Sequence, residues 1–568
     1  MRLRKISYYV AAFLIPAFIQ IFVFACMGFY PFGDKSILVW DMNWQYVSFF
    51  SWLTRTIRET TADSIFYSFS ISYGSSTLGL LGYYLLSPFN VILLLFDTVN
   101  LPLGLWIVTI LKLSCCGLTM YLFLARSFEQ NRKDFLLFST SYAVMGYNVA
   151  QMQNIMWIDA VILLPLVALG IKNYVKKKKF GLFVLSLAAA VAINFYTGYM
   201  LCLFSAIYLL AEVALDSEQF VFKKIFKKYF GGLFYIVLAV MMSGFSLLPV
   251  YYEISGSRMK ESSLRSTFYM LKNLDSRMWE LGNKLCIGTY NVHQLKSGLP
   301  NIYAGCLCFV LFILFFVSRK YKVSKKEKII YAITCVVLLL SFVSVGVNMI
   351  WHGFAQANGS PYRYSFFVSF LMIEIASRQY LKIQEGQEMV RKKDAAELVN
   401  IGIAAILGAF LLYKGFVQYK IDESDYLNLS QILLTVGFIL VWFVLLKLRK
   451  SHKMMIGTYK SYCMLFFLII ELGLNMGIDI SHFSYEKIGE YQAYVQETES
   501  VLKQIRKLDA DPFYRIENDI RYEQRNCNDA MLLGYPSITH YSSVLPYSVS
   551  KYASEEGMSS YPGSLSVV

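Results

Sequence analysis

Apolar runs of about 20 residues recur along this chain up to residue 476, and each is long enough to cross a hydrocarbon core about 30 Å thick. Only 16% of the residues are charged, whereas a soluble domain carries about 25%. Helices are the element that satisfies its own backbone hydrogen bonds inside a bilayer. The sequence therefore predicts an all-α polytopic membrane protein surrounded by membrane lipid.

The formal net charge of +15 does not indicate a nucleic-acid partner. Lys and Arg fall in short clusters between apolar runs, as topology signals do, and the positive-inside rule assigns those clusters to the cytoplasm. The clusters are Arg2 to Lys5, Arg126 to Lys133, Lys176 to Lys179, Lys223 to Lys228, Arg319 to Lys328, Arg391 to Lys393 and Lys447 to Lys453. We expect no nucleic-acid binding.

With these clusters held inside, the sequence predicts thirteen crossings, a cytoplasmic N-terminus and an extracytoplasmic C-terminus. The predicted spans are 7–26, 103–125, 135–150, 157–174, 180–195, 199–215, 230–250, 302–318, 329–347, 364–381, 398–414, 431–446 and 461–476. The first run is read as a retained helix rather than a cleaved signal, because bulky Phe24 stands where a small residue favours cleavage.

One apolar run, from Leu78 to Phe96, does not fit this count, since a full crossing there would put Arg126 and Lys133 outside. Pro88 interrupts it, and proline lacks a backbone donor and disfavours helix in the residue before it. We expect a re-entrant or interfacial hairpin that is buried in protein or lines a cavity. An ordinary kinked span is the alternative.

The predicted outer face holds the loops 27–77, 251–300 and 348–363, and the tail from 477. In the first loop, Asp41 precedes an amphipathic stretch, Val47 to Ile57, whose apolar side chains suit the membrane interface. A carboxylate held there can act as a general base on a substrate whose lipid tail lies in the bilayer. The alternative is that Asp41 only caps the helix that follows it.

Asp159 is predicted at the outer end of a span, where an ionisable side chain is costly and therefore marks a candidate site. It could orient a substrate hydroxyl, or it could pair with an arginine as a structural ion pair. Glu374 and Glu471 lie deeper in their predicted spans, and we expect them to make contacts between helices.

The turn from Trp351 to Tyr364 carries Arg363 and His352 at the outer membrane border. A guanidinium at that depth suits a lipid phosphate, which it can hold with two parallel hydrogen bonds. Snorkelling towards lipid headgroups is the alternative. The loop 251–300 and the start of the next span supply further candidates, namely Arg258, Lys260, Arg265, His293, Asn301 and Tyr303.

Several reaction classes lack their motifs. No phosphate-binding Walker loop, HExxH zinc motif or GxSxG elbow occurs, so ATP hydrolysis, zinc proteolysis and serine hydrolysis have no support. The ten cysteines are scattered, mostly within apolar runs, and form neither a disulfide framework nor a metal-ligand pattern. We predict no cofactor and no metal.

The chain resembles the YfhO family of bacterial membrane proteins, which looks like a branch of the multi-spanning glycosyltransferases of the GT-C fold. The matching motifs run from the first span to about residue 370, and less clearly through Ser537 to His540. They are Gly33-Asp34 to Leu38 with Asp41 and Gln45-Tyr46, Phe66 to Ser68, Tyr83 to Asn90, Ile155 to Asp159, Pro300 to Tyr303, and Asn358 to Tyr364 with Tyr362 and Arg363.

The resemblance implies a GT-C-like transmembrane domain, residues 1–476, and a small extracytoplasmic C-terminal region, residues 477–568. It implies an enzyme that transfers a sugar from an undecaprenyl-phosphate-linked donor to a cell-envelope polymer such as a teichoic acid. By similarity Asp41 is the catalytic carboxylate, and the candidate substrate-binding residues are Gln45, Asp159, Arg258, His293, Asn301, Tyr303, His352, Tyr362 and Arg363. Family members are typically longer, which implies an incomplete C-terminal region here.

Two other functions fit the same residues. Many spans with intramembrane charges also suit a transporter or flippase of lipid-linked sugars. Such proteins often contain inverted repeats, and the sequence has none that we detect. An assembly protein without catalysis is the third reading.

Overall fold

The computed structural model describes residues 2–59, 63–217, 221–254, 264–318, 323–387, 426–447, 454–508, 514–518 and 525–544, with short pieces between 549 and 566. The predicted span 398–414 and the candidate residues Arg258 and Lys260 lie outside the described residues.

Long apolar helices dominate the described chain and confirm a multi-pass membrane protein. Seven of them are long and apolar enough to cross a bilayer. They are Ile6–Cys26, Leu101–Ser127, Ile158–Lys177, Phe195–Asp216, Phe222–Met242, Leu429–Leu446 and Ser461–Ser481. Gly181–Ile193 and Cys306–Val317 are apolar but shorter. Thirteen crossings thus remain a prediction.

The remaining helices are shorter or more polar, and some interrupt predicted spans. The run 135–150, which the sequence predicts as one span, forms two helices, Phe135–Ala143 and Gly146–Gln151. The other helices in the described residues are Met42–Tyr46, Val47–Arg58, Leu78–Leu80, Leu81–Leu85, Pro88–Leu95, Gly244–Ile254, Leu264–Met270, Ser276–Leu285, Val292–Ser297, Lys325–Val343, Val345–Trp351, Phe366–Gln387, Ile488–Leu508, Arg525–Asn528 and Asp529–Leu533.

Two small antiparallel sheets depart from the purely helical expectation. Strand Tyr67–Ser68 pairs with Ser75–Ser76 in the first loop. In the C-terminal region, Ser564–Ser566 lies between His540–Tyr541 and Ser559–Tyr561, with Leu565 opposite both His540 and Ser560.

The apolar run from Leu78 to Phe96 is broken where the sequence predicts. Its two halves, Leu78–Leu85 and Pro88–Leu95, meet at an angle of 93°. Pro88 starts the second half, where its missing N–H leaves no intrahelical bond unmade. Asn90 Nδ2 donates to Leu85 O across the break at 2.9 Å, so a side chain replaces part of the lost backbone pairing.

The C-terminal region packs directly onto the first loop. Ser36 N donates to Glu486 O at 2.7 Å, and Ile488 N donates to Asp34 O at 2.7 Å. Ser51 Oγ donates to Leu532 O at 2.7 Å from the middle of the Val47–Arg58 helix. The two segments therefore form one structural unit.

This packing corrects the interfacial expectation for the Val47–Arg58 helix. Phe49, Phe50 and Trp52 are each at most 1% exposed, because the Asp529–Leu533 helix and the broken hairpin cover them. The apolar face that suggested a membrane interface is thus covered by protein.

A buried ionic network joins three helices, Ile158–Lys177, Phe195–Asp216 and Phe366–Gln387, at the end of the bundle where the first of them finishes. Glu374 Oε1 lies 2.7 Å from Lys172 Nζ and 3.2 Å from Arg378. Lys172 also lies 3.1 Å from Glu212, and Tyr208 donates to Glu374 Oε2 at 2.8 Å. The predicted helix-to-helix role of Glu374 is confirmed.

Glu471 makes a second buried contact between helices, also as expected. Its Oε1 accepts from Tyr303 OH at 2.6 Å, and its Oε2 accepts from Trp442 Nε1 at 2.6 Å. Because such groups find no water in an apolar bundle, each partner is needed to offset the cost of burial.

Removing Glu374 should destabilise the bundle strongly. Glu374→Ala leaves Lys172 and Arg378 buried with one carboxylate fewer, and breaking a buried pair costs about 3–5 kcal/mol. Tryptophan fluorescence during thermal unfolding in detergent would measure the effect. Glu385→Ala is the matched control, because the Glu385 side chain is 55% exposed beside Lys382 and should matter by less than about 1 kcal/mol. Equal midpoints for the two variants would contradict the expectation.

Candidate functional site

Asp41 stands at the start of a short π-helix, Met42–Tyr46, which continues into the Val47–Arg58 helix. Its side chain makes no capping hydrogen bond, so the capping alternative is not what its carboxylate does. Asp41 Oδ1 accepts instead from Gln45 Nε2 at 3.0 Å, and Oδ2 lies 3.3 Å from Tyr46 OH. The preceding residue, Trp40, has a φ of 47°, a strained conformation of the kind found at functional sites.

The environment of Asp41 makes its carboxylate more basic than usual. Burial raises the pKa of Asp41, while the Tyr46 hydroxyl, the charge of Arg363 and the Gln45 amide each lower it in part. A carboxylate whose pKa is raised towards the working pH is a better general base.

Arg363 is held between two aromatic rings. Its guanidinium carbon lies 4.7 Å from the centre of the Trp157 ring and 5.3 Å from that of Tyr196. Its terminal nitrogens donate to Asn358 O at 2.9 Å, to Gly359 O at 3.1 Å and to Tyr196 OH at 3.1 Å. Arg363 is therefore fixed inside the protein rather than snorkelling to headgroups.

The charge of Arg363 has no salt-bridge partner among the described residues. Its Nε is buried and makes no hydrogen bond in the described part of the chain. Asp41 lies within reach of this charge, since Arg363 lowers the pKa of the Asp41 carboxyl. A positive charge stacked on aromatic faces with a donor to spare suits an anionic ligand.

His352 supports this arrangement rather than moving protons. Its Nε2 lies 2.8 Å from Pro361 O, which can only accept, so Nε2 carries the hydrogen. Its Nδ1 then accepts from Tyr196 OH at 2.6 Å. Burial, followed by the charge of Arg363, lowers the pKa of His352 to about 3, so the ring is neutral near pH 7 and orients Tyr196.

A chain of polar side chains connects Asp41 with the loop that carries Arg363. Tyr46 OH lies 2.8 Å from Asn154 Oδ1, and Asn154 Nδ2 lies 2.8 Å from Gln151 Oε1. Gln151 Nε2 lies 3.4 Å from Ser360 Oγ. Three segments far apart in the sequence thus meet through uncharged groups.

Aromatic side chains of the broken hairpin form one wall of the site. The Tyr84 ring centre lies 5.5 Å from that of Tyr46, and the Tyr83 ring centre lies 5.8 Å from that of Tyr196. Asn194 Nδ2 donates to Tyr83 O at 2.6 Å and holds this part of the hairpin in place. The hairpin is therefore a structural part of the candidate site.

The helix Val292–Ser297 contributes a second positive charge. Lys296 Nζ lies 5.1 Å from the centre of the Trp40 ring, next to Asp41 in the sequence. His293 lies on the same helix and is exposed. Ser360 N donates to Leu295 O at 2.7 Å, which ties this helix to the Arg363 loop.

Asp159 is engaged in a buried ion pair rather than open to the site. Its Oδ2 lies 2.7 Å from Lys112 Nζ, and its Oδ1 accepts from Ser87 Oγ at 2.9 Å. The alternative of a structural ion pair thus describes it, with a lysine in place of the expected arginine. The pair holds the break of the hairpin against two long helices.

Three other candidates use their side chains elsewhere. Tyr303 bonds Glu471 inside the bundle, and Tyr362 OH donates to Asp275 Oδ2 at 2.8 Å. Asn301 Oδ1 lies 3.5 Å from Lys284 Nζ, and its backbone carbonyl accepts from Ser365 Oγ at 3.2 Å.

Sequence reasoning missed the roles of Gln151, Tyr196 and Trp157. The available signal was the cluster of amides at Gln151, Gln153 and Asn154, since three amides within four residues are unusual between apolar helices. No local pattern marked Tyr196, and Trp157 stood in the Ile155 to Asp159 motif without a role of its own, because aromatic residues are abundant throughout the chain.

The comparisons with known proteins include a curated relative and a distant solved structure. The curated relative is the uncharacterized protein YfhO of Bacillus subtilis (strain 168), which is 21% identical over 524 residues. The match covers 85% of this chain and 53% of the relative, so the chain spans about half the length of the relative. ArnT from Cupriavidus metallidurans, solved bound to undecaprenyl phosphate, aligns over 94% of this chain and 85% of its own with 11% identity and a TM-score of 0.30.

The comparison with protein families is more extensive. The profile of the family described as bacterial membrane protein YfhO matches residues 11–566. This match takes in the Asp41 loop, the broken hairpin, the Arg363 loop and the C-terminal region that packs on the first loop. The chain belongs to the YfhO family of bacterial membrane proteins.

Proposed function

We propose that this protein transfers a sugar from a polyprenyl-phosphate donor to an acceptor hydroxyl, with Asp41 as general base and Arg363 as the phosphate ligand. The observation that carries the proposal is the pairing of these two groups. Burial raises the pKa of Asp41, whose carboxylate feels the charge of Arg363, and Arg363 has a buried Nε without a hydrogen bond in the described part of the chain. Such a pair supplies a proton acceptor and a site for an anion.

The course of one helix supports an outward-facing site. The Ile158–Lys177 helix starts beside the site, where Trp157 stacks on Arg363, and ends at the basic cluster Lys176 to Lys179. If the positive-inside rule holds for that cluster, the site faces outwards. We propose that sugar transfer takes place on the extracytoplasmic face, with the N-terminus inside.

The reaction can be written with every bond accounted for. Asp41 takes the proton from the acceptor hydroxyl as its oxygen forms a bond to the anomeric carbon. The bond between that carbon and the phosphate oxygen breaks, and its electron pair leaves with the polyprenyl phosphate. Arg363 stabilises the charge that develops on the departing phosphate, and Lys296 adds a second positive charge nearby.

The aromatic walls and one amide suit the sugar itself. Tyr83, Tyr84 and Trp157 offer apolar faces with polar edges, which fit a ring that is apolar on one face and hydroxylated at its rim. Gln45 Oε1 is buried and accepts no hydrogen bond in the described part of the chain. We propose that a sugar or acceptor hydroxyl donates to it.

The acceptor that we propose is a cell-envelope polymer such as a teichoic acid. Support for this choice comes from the resemblance of the site motifs to the YfhO pattern. We propose that the acceptor approaches beside Lys296 and His293, which share the helix Val292–Ser297 next to Trp40, and that Asn301 lines the same approach. Asp159, Tyr303 and His352 would then act by holding the walls of the site.

Asp41→Asn should abolish sugar transfer without removing the protein from the membrane. The amide cannot accept the acceptor proton, and loss of a general base lowers kcat by about 10²- to 10⁴-fold. Purified protein, undecaprenyl-phosphate sugar and acceptor would be assayed for covalent sugar on the acceptor. Asp34→Asn is the matched control, because Asp34 is an exposed carboxylate of the same loop. Full activity of Asp41→Asn, or flipping of the lipid by the unaltered protein without covalent transfer, would refute the assignment.

Arg363→Lys should weaken donor binding more than it slows the chemical step. Lysine keeps the charge but loses the planar stacking on Trp157 and the pair of parallel donors. Loss of one charged hydrogen bond, at about 1.5–3 kcal/mol, raises KM for the donor by about 10- to 100-fold. Arg277→Lys serves as control, since Arg277 is 45% exposed and pairs with Asp275. An unchanged KM for Arg363→Lys would exclude Arg363 as the phosphate ligand.

A further inference from the structure

We propose that Tyr46, Asn154 and Gln151 are positioning residues that form a reversible hydrogen-bond chain between Asp41 and the Arg363 loop. In this chain the direction of every hydrogen bond follows the protonation state of Asp41. Its use in catalysis rests on the proposed function, but its existence does not.

The hydrogen-bond chain is continuous and shielded from water. It runs from Asp41 Oδ2 to Tyr46 OH (3.3 Å), to Asn154 (2.8 Å), to Gln151 (2.8 Å) and to Ser360 Oγ (3.4 Å). Tyr46, Asn154 and Gln151 are 4%, 4% and 3% exposed. Buried polar groups need partners within the protein, so each member depends on its neighbours.

The hydroxyl of Tyr46 carries one proton and therefore cannot donate to both of its neighbours. When Asn154 Oδ1 faces Tyr46, the tyrosine donates to that oxygen, and Asn154 Nδ2 donates onwards to Gln151 Oε1. Gln151 Nε2 then donates to Ser360 Oγ. In this direction Tyr46 oxygen is free to accept, which fits a protonated Asp41 that donates to it.

The opposite direction fits an ionised Asp41. Tyr46 OH donates to Asp41 Oδ2, and Asn154, with its amide turned over, donates its Nδ2 hydrogen to the tyrosine oxygen. Gln151 turns likewise and donates to Asn154, while Ser360 Oγ donates to Gln151 Oε1. Each group has its partners in both directions, so neither state leaves a buried donor unmet.

Reversal needs only two amide flips and two hydroxyl rotations. The oxygen and nitrogen of an amide side chain are close in size, so a flip preserves the packing around it. At the far end, Ser360 Oγ has an alternative acceptor in Leu295 O at 3.5 Å. The adjacent Gly359 and the nearby Asn358 hold Arg363 through their carbonyls, so the chain ends next to the phosphate ligand.

Other charged and titratable groups face Asp41 from the surrounding elements. Arg363 faces it from its loop, Tyr83 and Tyr84 face it from the hairpin, and Lys296 lies over Trp40 on the neighbouring helix. None of these groups forms part of the hydrogen-bond chain. Their effect on the pKa of Asp41 is the same in a variant that only breaks the hydrogen-bond chain, so such variants isolate its contribution.

During transfer the chain would couple proton acceptance with departure of the phosphate. As Asp41 takes the acceptor proton, the chain reverses, and the Ser360 hydroxyl turns from Gln151 towards Leu295. This reorients a dipole beside the loop that holds Arg363 at the moment when negative charge develops on the phosphate. A fixed chain would favour one protonation state of Asp41 only.

Two variants should shift the pKa of Asp41 in opposite directions. Tyr46→Phe removes the donor to ionised Asp41, so its pKa should rise by about one pH unit. Asn154→Leu removes the acceptor that Tyr46 needs when Asp41 is protonated. The protonated form then leaves a buried hydroxyl hydrogen unmet, which costs more than the lone pair lost in the ionised form, so the pKa should fall by roughly half a unit.

Infrared titration of the Asp41 carboxyl, assigned by its loss in Asp41→Asn, would measure these shifts in the full protein without any sugar donor. The acid limb of kcat/KM should move in the same directions. Tyr199→Phe is the control, because Tyr199 OH donates to Ile350 O outside the chain. If Asn154→Leu does not accumulate, Asn154→Met takes its place in the experiment, because it removes the same acceptor.

Opposite shifts in the pKa of Asp41 support the hydrogen-bond chain, whereas shifts in the same direction, or none in either variant, overturn it. A lost packing contact alone would lower activity without reversing the sign of the shift. Opposite infrared shifts in a protein that transfers no sugar would support the chain and refute the proposed function. Active wild-type protein whose variants show no shift would refute the chain and leave the proposed function in place.

Discussion

Uncharged groups hold the charge of Arg363 in the described part of the chain, and the candidate site depends on this arrangement. Two aromatic rings, two backbone carbonyls and a tyrosine hydroxyl fix the guanidinium without neutralising it. A carboxylate in contact would have satisfied the arginine but occupied the place of an anionic ligand. Asp41 lies close enough to feel this charge, and burial still raises its pKa.

Composition was sufficient to predict the membrane class. Asp41 was singled out because it precedes an amphipathic stretch, and Arg363 because a guanidinium at the outer membrane border suits a lipid phosphate. Their roles in a site stay predictions. The break at Pro88 was predicted because proline acts on the local backbone, and the structure confirms the break.

Other features depend on contacts between distant segments, which a single sequence does not reveal. Asp159 pairs with Lys112, which lies in the middle of another span, so the sequence around Asp159 did not indicate this partner. Asn154 and Gln151 carry no charge, and their partners Tyr46 and Ser360 lie in separate loops. The Val47–Arg58 helix has the composition of an interfacial helix. Composition alone does not tell whether its apolar face contacts lipid or, as here, other parts of the protein.

The contact between the first loop and the C-terminal region also sets the order in which the site can form. Ser51 bonds Leu532 across 481 positions of sequence, and Asn528 Nδ2 donates to Trp44 O at 3.1 Å, beside Asp41. During synthesis the loop with Asp41 emerges well before the segment that packs on it, since the contact between Ser51 and Leu532 spans 481 positions. The loop with Asp41 therefore waits without this packing while the intervening helices insert, and the contact forms only after that bundle has been made.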